Sequence, residues 1–283
     1  MDLEIGAFDG WELIDSGNGR KLERFGARVL DRPCPQAIWP PAHAARWREA
    51  DAEFQRTESG QGDWTAGGGA RDGWPAAWGS LRFEVRLTGF GNVGLFPEHA
   101  AHWPWMQALL RERRGARVLN LFAYTGGASV ACAAEGADVT HVDSARSVNG
   151  WAAENASLSA PIGGRIRFIA EDAAKFVKRE ARRGRKYDGI VIDPPTFGRG
   201  AQGEVWKIER DLWPLVAACG ELLGDAPLFT VLTAHSPGIT PRVLSAALAA
   251  LGAPRRIDSG EMLLVGGGQA LPAGAYARAE LRP

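Results

Sequence analysis

Asp193-Pro194-Pro195-Thr196-Phe197 closes the apolar run Tyr187-Asp188-Gly189-Ile190-Val191-Ile192. A buried strand that ends this way puts a carboxylate and a stiff backbone turn at one edge of a sheet. Proline fixes φ and carries no N–H, so carbonyls there stay open to an outside donor. Asp193 and the Pro194 carbonyl can accept the hydrogens of an amino group and turn its lone pair outward, while Phe197 can stack on a planar ring. Phe197 serves equally well as an apolar plug beneath the turn. His235, followed by Ser236, ends the next apolar strand and is a candidate general base or a polar wall.

Three further strand ends carry matching chemistry. Val118–Ala123 turns through Tyr124-Thr125-Gly126-Gly127 into a small-residue segment. Paired glycines at such a turn let a ligand lie on the backbone, and a helix N-terminus offers unpaired N–H groups. Asn120, Phe122, Ala123, Tyr124, Thr125, Gly126 and Gly127 are the candidate residues there. The turn is not G-x-G-x-x-G, so the dinucleotide fingerprint is absent. Twenty residues beyond Ala123 the second strand ends in Asp143-Ser144, placed to reach ribose hydroxyls. The third ends in Glu171-Asp172-Ala173, where Asp172 can accept from an adenine amino group or cap a helix. Loop, acid, acid and Asp-Pro-Pro in chain order read as an adenosine site. The negative charge of Asp193 nearby suits the sulfonium of S-adenosyl-L-methionine.

The elements that position these residues alternate after residue 85. Strands are expected at 116–123, 138–143, 165–170, 187–193 and 228–233. Helices are expected at 97–114, 127–135, 146–158, 173–183, 205–223 and 241–251. Residues 255–265 and 275–281 flank a glycine-rich turn with no helix between them, so they read as a closing hairpin. Before residue 85 lie short alternating segments, with Ser16-Gly17-Asn18-Gly19 as a hairpin turn. A glycine-rich stretch at 58–80 contains Trp64, Trp74 and Trp78, which suit packing anchors or a stacking platform. Two domains follow: residues 1–85, small and β-rich, and residues 86–283, α/β.

Composition narrows the function classes. Lys plus Arg and Asp plus Glu balance at 33 each, so no global field draws the chain to nucleic acid or membrane. Arg111–Arg114 and Arg182–Lys186 are local basic clusters, read as solvated helix ends or as an RNA face. Cys34, Cys132 and Cys219 show no C-x-x-C spacing, which argues against a disulfide framework or zinc site. His99 and His102 stand three apart without a third ligand, so no metal is expected. There is no basic-then-apolar leader and no apolar run of the ~20 residues a membrane span needs. A soluble, cytoplasmic protein is the expectation.

Asn120-Leu121-Phe122-Ala123-Tyr124-Thr125-Gly126-Gly127 together with Asp193-Pro194-Pro195-Thr196-Phe197 resembles the bacterial large-subunit ribosomal RNA methyltransferases that make 5-methylcytosine or 7-methylguanine. The resemblance covers roughly residues 86–240. It implies a Rossmann-like class I methyltransferase sheet, mostly parallel with an antiparallel C-terminal hairpin, and S-adenosyl-L-methionine as cofactor. Thr88-Gly89-Phe90 and Gly94-Leu95-Phe96 resemble the family's lead-in segment, which implies that Phe96 lines the methionine end. The family usually continues Leu-Asp-x-Arg, where this chain has Pro97-Glu98-His99-Ala100. Trp11–Gly17, Arg32–Trp39 and Phe197–Trp206 resemble a compact stand-alone subgroup without the separate RNA-binding domain. In the resembling cytosine enzymes a nucleophilic cysteine lies after strand five or in the Asp-Pro-Pro segment, and none stands there here. The expected reaction is therefore methyl transfer to a nitrogen of an RNA base. The alternative acceptor is a small heterocyclic or aromatic metabolite.

Overall fold

The computed structural model describes residues 1–57, 61–66, 73–200, 203–251 and 254–281. Parts of the glycine-rich stretch expected at 58–80 therefore lie outside the described residues. The chain forms two compact units: Glu4–Glu98 with Leu263–Pro272, and Met1–Leu3 with His99–Met262 and Ala273–Pro283.

The first unit is built from short strands. After β1 (Leu3–Ile5), a five-stranded sheet runs in the order β2 (Trp11–Gly17), β3 (Arg20–Phe25), β4 (Arg28–Pro33), β5 (Ala52–Arg56), β6 (Gly62–Ala66). Asn18 and Gly19 turn β2 into β3 with φ of 51° and 75°, the left-handed pair that a tight hairpin needs. β7 (Trp74–Trp78) and β8 (Leu81–Val85) form a separate antiparallel pair. Glu23 is fully buried in this unit and ion-paired to Arg32 and Lys21, and it accepts from the Trp11 indole at 3.0 Å. Two of the tryptophans are anchors: Trp64 Nε1 donates to Thr88 O at 2.8 Å and Trp74 Nε1 to Phe25 O at 2.7 Å. Phe96 is half-buried here, on the wall of a cavity of about 150 Å³ that Lys21, Arg32 and Phe90 also line.

A 3-10 turn, Pro97–Ala101, precedes helix α1 (Trp103–Arg111) of the second unit, where the sequence predicts one longer helix. The alternation then runs β9 (Arg117–Leu121), α2 (Gly127–Ala134), β10 (Asp138–Asp143), α3 (Arg146–Leu158), β11 (Arg165–Ala170), α4 (Ala173–Arg182), β12 (Gly189–Ile192). After β12 the chain makes a two-stranded ribbon, β13 (Phe197–Arg199) and β14 (Val205–Lys207), then α5 (Ile208–Gly220), β15 (Phe229–Ala234), α6 (Pro241–Ala249) and the hairpin β16 (Arg256–Leu264), β17 (Leu271–Glu280). Val205–Lys207 was expected to open the helix. Instead it pairs with Phe197–Arg199, as a β-branched and aromatic stretch next to a proline-fixed turn readily does.

The sheet order is β1-β16-β17-β15-β12-β9-β10-β11, parallel from β15 to β11 and antiparallel at β15–β17. The chain steps outward from β9 to β11, then returns to β12 on the other side of β9. Right-handed crossovers in opposite directions put helices on both faces, and the reversal opens a crevice between β9 and β12. A core of Leu119, Leu121, Phe176, Ile190, Ile192, Leu215 and Leu232 fixes the central strands beneath it.

Candidate active site at the switch point

Strand register places the candidate residues in one row. Ile192 pairs with Leu121 and with Leu232, Leu121 with Val142, and Asp143 with Ala170. Phe122, Asp143, Glu171 and Asp193 therefore stand at the C-terminal edge of the parallel strands, where ligands of open α/β sheets bind, with Thr233 of β15 beside Asp193. Asp143 and Asp193 end strands two apart, a separation of roughly 10 Å at the usual strand spacing. That is the span of a nucleoside.

The loop after β9 is held in an unusual conformation. Phe122 and Tyr124 have φ of 54° and 51°, and Gly126, which caps α2, has 86°. Left-handed backbone costs a side-chain-bearing residue about 1–2 kcal/mol, so surrounding contacts must impose it. The contacts are specific. Asp143 Oδ2 accepts from Tyr124 N and Oδ1 from Ala145 N, each at 3.0 Å. Asn155 Nδ2 donates to Thr125 O at 2.9 Å. Beneath the loop Asn120 Nδ2 donates to Ser129 Oγ at 2.9 Å, and Ser129 Oγ lies 3.0 Å from His141 Nδ1. Burial pushes the His141 imidazole down to about 4, so it sits neutral in this network. Ala123 N bonds to Val142 O at 3.1 Å. A Cβ on Gly127 would lie 2.9 Å from Trp103 Cζ2, so only glycine leaves the start of α2 this close to α1.

The acids after β10 and β11 differ. Burial raises the Asp143 carboxyl above its ordinary range, opposed by its two backbone donors. Each oxygen accepts one of these backbone donors and keeps a further lone pair. Asp172 is the N-cap of α4, accepting from Lys175 N at 2.9 Å, and it is followed by the buried Ala173. One oxygen serves the cap, and the other has no hydrogen bond among the described residues.

A hydroxyl and two imidazoles surround Asp193. Thr233 Oγ1 donates to Oδ1 at 2.6 Å, His99 Nε2 lies 3.1 Å from Oδ2, and His235 Nε2 lies 3.6 Å from Oδ1. Burial alone would raise this carboxyl, but the two imidazoles outweigh it and hold it well below the usual carboxylate range. Asp193 is an anion at any physiological pH. The carbonyls of the turn are less open than the sequence implied. Pro195 O accepts from Trp206 Nε1 at 2.7 Å and Thr196 O from Ile208 N at 3.1 Å, and the Thr196 hydroxyl meets Ser236 Oγ at 2.7 Å. Pro194 O carries no hydrogen bond among the described residues. Phe197 stands half-exposed on β13 with the Arg199 guanidinium 6.0 Å from its ring centre. Trp206 packs on Phe122 at 5.0 Å, coupling the acceptor turn to the loop after β9.

Two residues in contact with Asp193 escaped the sequence reading. Thr233 gave no signal beyond its place beside Asp193 in a neighbouring strand. His99 was weighed only as a metal ligand with His102, yet the rings are 6.5 Å apart and His102 is buried. Its position where the family shows Leu-Asp-x-Arg was the available clue. Cys34, Cys132 and Cys219 are free, buried thiols. Burial pushes Cys132 and Cys219 up to about 12 and raises Cys34 as well.

A mostly parallel sheet with an antiparallel C-terminal hairpin and a ligand crevice at its switch point defines the α/β methyltransferase fold. Residues 8–250 match the family model of S-adenosylmethionine-dependent methyltransferases, and the chain belongs to that family. The SAM-dependent methyltransferase from Agrobacterium tumefaciens is 39% identical, superimposes with a TM-score of 0.93, and is matched over 100% of this chain and 94% of that one. SMU.776, solved in complex with SAH, shares the fold at 17% identity with a TM-score of 0.74, over 96% of this chain and 76% of that one. The ribosomal RNA large subunit methyltransferase K/L of Shewanella frigidimarina (strain NCIMB 400) is 37% identical over 152 residues, 50% of this chain. The counterpart from Hahella chejuensis (strain KCTC 2396) is 38% identical over 144 residues. These matches span only 20% and 19% of those relatives' lengths. No described helix is long and apolar enough to cross a membrane.

Proposed function

We propose that the protein transfers the methyl group of S-adenosyl-L-methionine in line to a nitrogen of an RNA base, of the ribosomal type, without a cysteine nucleophile. Asp143 and Ser144 hold the ribose, Asp172 and Ala173 the adenine, and the Phe122–Gly127 loop lies against the cofactor backbone. The strained loop and its glycine cradle fit that group. Bound there, the cofactor supplies an electrophilic methyl on a cationic sulfur.

The observation that carries the reading is an ionised Asp193 next to the Pro194 carbonyl, which has no hydrogen-bond partner among the described residues, beside the half-exposed ring of Phe197. Carboxylate and carbonyl orient a nitrogen, and Phe197 stacks on the base. Buried thiols with raised pKa values argue against covalent addition to a pyrimidine carbon. The names of the ribosomal relatives support the substrate class, and three free cysteines fit a reducing cytosol. The balanced net charge favours a second reading, a small heterocyclic acceptor. Binding to bulk RNA at rising salt separates the two. A steep loss of affinity is expected for RNA, and a flat dependence overturns it.

A further inference from the structure

Transfer to a bare ring nitrogen needs positioning and little else. The acceptor end of this crevice holds more than that. Two imidazoles from separate elements, His99 on the Pro97–Ala101 turn and His235 after β15, both point Nε2 at the Asp193 carboxylate. Their ring centres are 5.5 Å apart in an edge-to-face arrangement. His235 packs its Nδ1 edge over Gly274, where a Cβ would come within 2.9 Å, and its side chain is 37% exposed. The other charged or titratable groups around the cluster are Glu98 on the turn that carries His99, His102 at the head of α1, and Tyr276 and Arg278 on β17.

We propose that the His99–Asp193–His235 cluster removes a proton from the accepting nitrogen, and that this nitrogen is therefore an exocyclic amine rather than a ring nitrogen without hydrogen. The inference rests on the base-nitrogen reading and narrows it. At a ring nitrogen such as guanine N7 no proton leaves, and two imidazoles have nothing to accept. An amino group is different. As its lone pair forms the N–C bond, the C–S bond breaks with its electron pair left on sulfur, and the nitrogen becomes a cation that must lose one hydrogen. Pro194 O accepts one N–H and Asp193 aligns the other. Asp193 is itself a poor base, being held as an anion by its neighbours. His235 Nε2 lies 3.6 Å from Asp193 Oδ1, beyond a hydrogen bond, so its lone pair takes the proton, and the side chain reaches solvent, where the proton is released to water. His99 is a positioning residue: with Thr233 it fixes the plane of the carboxylate from the other oxygen.

The test uses the full chain with labelled S-adenosyl-L-methionine and total RNA, digestion of the product to nucleosides, and mass spectrometry of the methylated base. Rates are followed from pH 5 to 9 for the wild type, His235→Gln, His235→Asn and His99→Gln, with cofactor binding checking that each variant is folded. The expected product is an exocyclic N-methyl nucleoside. The wild-type rate should rise with pH through one imidazole ionisation. Both His235 variants should lose about 10²-fold in kcat together with that pH dependence, whereas His99→Gln should lower kcat but keep the ionisation. In cofactor-free protein, NMR should show the His235 imidazole titrating at lower pH in Asp193→Asn, because the anion that favours its charged form is gone. A 7-methylguanosine product, or an unchanged pH profile in both folded His235 variants, overturns the inference and leaves the base-nitrogen reading intact. Absence of label from every nucleoside overturns the base reading itself, and the inference with it.

Discussion

Thr233 Oγ1 donates to Asp193 Oδ1 at 2.6 Å across two adjacent parallel strands whose ends are in register. This contact fixes one carboxylate oxygen from the sheet side and leaves the open side to the acceptor. Replacing Thr233 with Val keeps the branched shape and deletes the donor. A hydrogen bond to a charged group contributes about 1.5–3 kcal/mol, so kcat should fall at least about tenfold while cofactor affinity holds. Steady-state kinetics alongside calorimetric cofactor titration checks this.

Asp193→Asn goes further. The side chain keeps its size but loses the charge that aligns the acceptor and faces the sulfonium. Methyl transfer should be abolished, with cofactor binding weakened yet measurable, because the adenosine-side residues are untouched. Retained activity would remove Asp193 from the reaction.

His102 gives a pH signature. It is fully buried at the head of α1, and burial pushes its imidazole down to about 3. In the unfolded chain it titrates near 6.5. A base with a depressed folded-state pKa binds its proton more readily when unfolded, so stability falls as pH drops from about 6.5 towards 3. The effect is on the order of 5 kcal/mol at most, at 1.36 kcal/mol per unit. Denaturant midpoints for His102→Gln should therefore be flatter across that window than those of the wild type. Asp193 adds to acid sensitivity in the same direction, below about pH 4, because its folded-state pKa is also depressed.

Much of this architecture was legible in the residues. The alternation of apolar strand runs with helical segments after residue 85 made the element order legible, and turn residues marked the β2–β3 hairpin. Loop, Asp143, Asp172 and Asp193 could be read because each ends an apolar strand, and the register then brings those ends into one row. The β13–β14 ribbon was not legible, since Val205–Lys207 runs into a helix and its partner strand is three residues long. Nor was the satisfaction of the Pro195 and Thr196 carbonyls, which depends on Trp206 and Ile208 folding back over the turn. The pairing of His99 with Asp193 was hidden for a similar reason, since the two lie nearly a hundred residues apart, although the position of His99 in the lead-in segment was a clue.

The loop after β9 should tolerate little. Gly126→Ala places a side chain at φ of 86° and brings its Cβ to 3.2 Å from that of Ala152. Gly127→Ala must displace Trp103. Each should cost about 1–3 kcal/mol of stability, and cofactor affinity should fall more than kcat. Thermal unfolding with and without cofactor separates the two effects.

The central claim is that a nitrogen of an RNA base receives the methyl group. Incubation with S-adenosyl-L-methionine labelled in the methyl, with RNA and metabolite pools offered separately, tests it most directly. The account predicts label in RNA that survives nuclease digestion as an N-methylated base. Label recovered only in a small metabolite, or on carbon 5 of a pyrimidine, would contradict it.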